Sequence, residues 1–103
     1  MARSAITNNR RVYLCCYDIG DDKRRAKLFE LLKDHGEHVQ FSVFLCSLTK
    51  SEIKQLYDFA DKIINQNEDQ LLVVDIGADE IDWTTQLSCI GKIWTPQVRS
   101  RII

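Results

Sequence analysis

Asp18 closes an apolar run, and Asp21 and Asp22 stand directly before Lys23, Arg24, Arg25 and Lys27 in the stretch YLCCYDIGDDKRRAK. A carboxylate at the end of a strand can coordinate Mg²⁺, or it can simply shape a turn, for which Asp is a favoured residue. Four cations within five residues can grip a phosphate backbone, or they can form a solvated helix face. Their placement speaks for phosphate, because cations in the first turn of a helix oppose its dipole and stability alone would not select them there. Arg10 and Arg11 stand where they could join from the base of the same strand.

Other candidates carry less chemistry. Cys15, Cys16, Cys46 and Cys89 form no CxxC pair and have no histidine at ligand spacing, so they read as small core residues rather than a zinc site. His35 and His38 straddle Gly36, which separates them too far in direction for a shared metal. Ser42 has no acid-base partner nearby and reads as a strand hydroxyl. Tyr17 and Phe44 could stack on bases, but burial in a sheet or dimer interface is the stronger expectation.

The elements that must hold these residues belong to one small domain: 103 residues, 45% hydrophobic and 28% charged, with a formal net charge of -1. There is no global excess of Lys and Arg, so any nucleic-acid contact must come from local clustering. The sequence shows no signal peptide and no apolar run near the roughly 18 residues a membrane span requires, so a cytoplasmic protein with reduced thiols and no membrane contact is expected.

Residues 1–10 are polar and aperiodic and read as a flexible N-terminal arm. RVYLCCYDI is a strand. Asp21 or Asp22 then caps a helix that turns Ala26, Leu28, Phe29, Leu31 and Leu32 inward and ends at Gly36. HVQFSVFLCS alternates, with Val39, Phe41, Val43 and Leu45 on one face and Gln40, Ser42, Phe44 and Cys46 on the other, as one strand or two joined by a bend. Thr49 and Glu52 form a capping box for a second helix carrying Ile53, Leu56, Tyr57, Ala60, Ile63 and Ile64. NQNED ends that helix before the strand QLLVVDIG. The resulting β-α-β-β-α-β order predicts an α+β, ferredoxin-like sandwich over residues 11–76. In the extension 77–103, ADEIDWTTQLS reads as a loop and CIGKIW as a fifth strand at a dimer interface. Trp94, Ile102 and Ile103 make this tail too apolar to float free, and a tail reaching onto a second protomer would cover the sheet face that the helices leave open.

The run Tyr17, Asp18, Ile19, Asp21, Asp22, Lys23, Arg24, Arg25, followed by Val39, Gln40, Ser42, Val43, Phe44, resembles the CRISPR-associated protein 2 family, the small subunit of the spacer-acquisition machinery. The resemblance covers about residues 11–76 and departs at Gly20, where the family has a small hydroxyl or amide, and at His38, where it has an arginine. A histidine there weakens any phosphate clamp or carboxylate pair that the arginine supplies in relatives. The resemblance implies a homodimer that brings two copies of Asp18 together across its axis as ligands for Mg²⁺ or another divalent cation. It implies an endonuclease with Asp18 catalytic and Lys23, Arg24, Arg25 and Lys27 on the nucleic acid, duplex DNA or single-stranded RNA. It equally implies a non-catalytic dimer that binds duplex DNA and bridges CRISPR integrase subunits. A small-molecule regulatory module of the same fold would need no charged motif, and the basic run argues against one.

Overall fold

β1 (Arg11–Asp18) buries Tyr13, Cys15 and Tyr17 on one face, as period-two alternation requires, and leaves Leu14 and Cys16 half-buried on the other. The computed structural model describes residues 9–95; most of the expected N-terminal arm, and the tail end with Ile102 and Ile103, lie outside the described residues. After β1 come α1 (Asp22–His35), β2 (Glu37–Gln40), β3 (Val43–Leu48), α2 (Lys50–Ile63) and β4 (Gln70–Ala78), then a short 3₁₀ turn at Trp83–Gln86. The strands form a four-stranded antiparallel sheet in the order β2-β3-β1-β4. This is the expected ferredoxin-like α+β arrangement.

Both helices pack on the same side of the sheet. Leu28 and Leu32 of α1 and Ile53, Leu56 and Ala60 of α2 close over Tyr13, Cys15, Tyr17, Phe44 and Cys46. Thr49 and Glu52 form the expected capping box, the Glu52 N–H donating to Thr49 Oγ1 at 3.2 Å and the Thr49 N–H to Glu52 Oε1 at 2.9 Å. Gly36 ends α1 with extended backbone. A Cβ there would overlap the Leu45 carbonyl oxygen and stand 2.5 Å from Cys46 Sγ, so the glycine is required by the close approach of the helix end to β3.

One expectation needs correction. Ala26 is exposed rather than turned inward, because the stripe facing the sheet runs through Leu28 and Leu32. Of the two readings of HVQFSVFLCS, two strands joined by a bend is the one found, and the alternation holds within β3, where Phe44 and Cys46 face the helices while Val43 and Leu45 pair with Cys16 and Leu14 on the open face. Phe41 stands in the turn between them, 87% exposed and with φ of 21°. Residues 89–94, where a fifth strand is expected, have no strand pairing among the described residues. Instead the Trp94 indole N–H donates to the His38 carbonyl at 2.9 Å and lays the segment against β2.

Candidate functional site

Asp18 is the last residue of β1, opposite Gln70 of β4, and its side chain is exposed. Among the described residues its carboxylate has no hydrogen-bond or ion-pair partner. The turn duty that the sequence leaves open among three acids falls to Asp21. The Arg24 N–H donates to Asp21 Oδ2 at 2.9 Å, and this backbone bond, the largest influence, holds the Asp21 carboxyl below the usual carboxylate range.

Asp18 opens into a cleft of about 530 Å³ between the N-terminal half of α1 and the β2-β3 turn, lined also by Asp22, Arg25, Glu30, His38 and Phe41. Three acidic residues, Asp18, Asp22 and Glu30, and one arginine therefore line it. The Arg25 guanidinium is itself engaged, donating to the Ile19 carbonyl at 3.0 Å and the Gly20 carbonyl at 3.3 Å and pairing with Asp22 at 2.5 Å. Arg25 thus fixes the loop that carries β1 into α1, the Gly20 carbonyl included.

The four cations do not act as one patch. Arg24 Nε lies 2.7 Å from Asp69 Oδ2, with further bonds to Asp69 Oδ1 at 3.2 Å and Glu68 Oε1 at 3.1 Å, and the Asp69 side chain is fully sheltered from solvent. Arg24 therefore pins the first turn of α1 to the turn before β4 and is withdrawn from the expected set of outward contacts. Lys23 and Lys27 make no ion pair among the described residues, and each directly follows a residue that lines the cleft. Arg10 and Arg11 are structural too: Arg10 bridges the Ser47 carbonyl and Glu52, and Arg11 forks onto both oxygens of Asp75 at 2.8 and 3.1 Å.

Tyr17 and Phe44 are buried and stack on each other with ring centroids 6.5 Å apart, so neither offers a face to a base. Gln40 closes the hairpin opposite Val43, and Ser42 lines the cleft. The two histidines serve different backbones. A ring nitrogen of His35 meets the Leu31 carbonyl at 2.8 Å, while His38 Nε2 meets the Phe41 carbonyl at 2.9 Å with its ring against Phe29 and Phe44. Sequence reasoning does not single out Glu30 or Phe41 as site residues. A signal exists for Glu30, which lies about two turns on from Asp22 along the same helix; none exists for Phe41, because strand alternation groups it with Val39, Val43 and Leu45 on one strand face.

Among the described residues no group of three or more His, Cys, Asp or Glu side chains is placed to hold a metal ion. No helix among them is long and apolar enough to cross a membrane.

The family model described as CRISPR associated protein Cas2 matches residues 11–82. Over 90 residues, 87% of this chain and 92% of the relative, it is 40% identical to a CRISPR-associated endonuclease Cas2 of Thermus thermophilus. A CRISPR-associated endoribonuclease Cas2 of Geobacter sulfurreducens is 33% identical over 89% of this chain and 96% of its own. One from Synechocystis is 45% identical over a shorter stretch, 58% of this chain and 65% of that protein. Among solved structures, Streptococcus pyogenes Cas2 superposes with a TM-score of 0.68 at 27% identity, covering 78% of this chain and 99% of that one. A hypothetical protein of Thermus thermophilus gives 0.67 at 34% identity over 84% and 99%.

Proposed function

This chain belongs to the CRISPR-associated protein Cas2 family, and we propose that it is a divalent-metal-dependent endonuclease of CRISPR adaptation, acting as a homodimer with Asp18 of both copies at its site. The observation that carries the reading is the Asp18 carboxylate: it ends β1 without a partner among the described residues, while Asp21 caps the helix in its place. A charged group kept free of structural work at a strand end is available for a ligand.

Asp18 lies on the same sheet face as Cys16 and Leu14, next to exposed Leu72 and Val74 of β4. An apolar face of this kind gains from cover, and a second copy about a two-fold axis brings a second Asp18 with it. The donor set fits this arrangement. A lone carboxylate is a poor Mg²⁺ site, whereas two hard oxygen donors, with waters completing the shell, suit the ion. Such an ion supplies Lewis-acid stabilisation of charge on a phosphodiester. The chain's own residues do the rest: Lys23 and Lys27 attract the backbone, Arg25 fixes the loop beside the site, and the cleft orients the strand entering it. Backbone contacts of this kind position nucleic acid without reading its sequence and do not separate DNA from RNA. The four free cysteines, two of them buried in the core, suit a reducing compartment such as the cytoplasm.

The second reading is a non-catalytic dimer that binds duplex DNA and bridges integrase subunits. Lys23 and Lys27, which make no ion pair among the described residues, favour it equally, since they need no metal to hold a backbone. Cleavage of end-labelled single-stranded RNA and duplex DNA by wild type and Asp18→Asn, with Mg²⁺ and with chelator, separates the two. Metal-dependent cleavage lost in the variant supports the nuclease, and intact duplex binding with no cleavage by either protein supports the scaffold.

A further inference from the structure

Phe41 is the residue of the cleft with the least structural justification. It is apolar yet 87% exposed, and it sits at φ of 21°, where a side chain with a Cβ is strained. Exposure and strain together mean that folding does not place it there for its own stability. The surroundings nevertheless hold it firmly. Its carbonyl meets His38 Nε2 at 2.9 Å, and the His38 ring is wedged against Phe29 and Phe44 with centroids 5.0 and 4.8 Å away. The next carbonyl, of Ser42, accepts the Tyr17 N–H at 3.1 Å, one residue before Asp18. The turn is therefore tied on one side to a buried aromatic cluster and on the other to the strand end that carries the free carboxylate.

We infer that Phe41 is a stacking platform for an unpaired nucleobase, which makes the Asp18 cleft selective for single-stranded nucleic acid over intact duplex. This rests on the nucleic-acid reading above and names its substrate class. The occupant follows from what shares the cleft. A solvent-facing ring on a backbone that is tied down complements the face of a base, and every base has one, so the contact tolerates any sequence. The phosphate linked to that base is drawn by Lys23 and Lys27, each one residue on from a cleft-lining residue of α1. A base stacked within its own duplex offers no free face, so the platform acts only on single strands, loops or splayed ends. His38 is a positioning residue here, holding the turn by its Nε2.

The test is binding of the full-length protein to fluorescein-labelled oligo(dA) and oligo(A), to the same DNA strand with its bases replaced by abasic residues, and to a duplex of equal length. Phe41→Leu keeps the bulk and removes the ring; Phe41→Tyr keeps the ring. The expected result is about a tenfold loss of affinity for the base-bearing single strands in Phe41→Leu, full retention in Phe41→Tyr, and no difference between wild type and Phe41→Leu on the abasic strand or the duplex. Equal affinity of Phe41→Leu and wild type for oligo(dA) and oligo(A) would overturn the platform while leaving the nucleic-acid reading intact. So would a parallel loss on abasic strand and duplex, which would mark Phe41 as a structural residue. Failure of the wild type to bind any of the four probes would overturn both readings.

Discussion

Arg24 Nε approaches Asp69 Oδ2 to 2.7 Å and fastens the first turn of α1 to the segment entering β4. A cation that the sequence offers for phosphate is thereby used to join two elements 45 residues apart in the chain. The Asp69 carboxyl is held below the usual range, first by the Arg24 side-chain bond and also by the Asn65 N–H. A depressed carboxylate pKa stabilises the fold at pH values above the unfolded pKa of about 3.9, and that stability is lost as pH falls through the lower folded value. Urea midpoints measured across pH should show wild type losing stability below about pH 4. Arg24→Gln should be less stable at neutral pH, with a shallower acid loss. Identical profiles would show that the pair contributes nothing.

The split of the cations gives a second expectation. Replacing Lys23 or Lys27 by Gln should lower the slope of log affinity against log salt by roughly one each, with urea midpoints unchanged. Arg24→Gln should lower stability instead and leave the salt slope nearly intact. Salt-dependent binding titrations of the three variants check this directly, and an equal slope change in all three would restore the single basic patch.

Gly36→Ala should destabilise by about 2–3 kcal/mol, because the new methyl group would overlap a backbone carbonyl and a buried sulfur rather than a movable side chain. Thr49→Ala should cost about 1 kcal/mol through loss of the capping box. Chemical denaturation of both proteins provides the comparison, and a change below about half a kcal/mol at Gly36 would mean that α1 and β3 separate easily.

The open sheet face yields the next prediction. Leu72→Asp or Val74→Asp places a charge on exposed apolar surface, which a monomer tolerates and a face-to-face dimer does not. Sedimentation should show the variants as folded monomers with cleavage lost along with dimerisation. Dimers of wild-type affinity would move the interface elsewhere.

The legible parts of this molecule are those written in local pattern. The 3.6-residue period of α1 and α2, the capping box at Thr49 and the apolar runs of β1 and β4 each specify an element within one stretch, and together they fix the order of elements along the chain. Asp18 is legible as a candidate by type and place. What cannot be read is decided by contacts distant in sequence or across a turn: Arg24 on Asp69, Arg25 on the Ile19 carbonyl, Trp94 on the His38 carbonyl. The place of Phe41 escapes the pattern for a related reason, since a two-residue turn interrupts the alternation that groups it with Val39, Val43 and Leu45 on one face.

In the proposed dimer one site is shared by two copies of Asp18. That sharing is tested most directly with mixed dimers, one wild-type protomer and one Asp18→Asn protomer carrying different affinity tags, isolated through both tags and compared in Mg²⁺ with the two parent homodimers. A shared site predicts that the mixed dimer cleaves at close to the rate of the doubly substituted protein, at least about tenfold below wild type, while binding nucleic acid as well as wild type does. Half the wild-type rate would contradict the account, because each Asp18 would then be working alone.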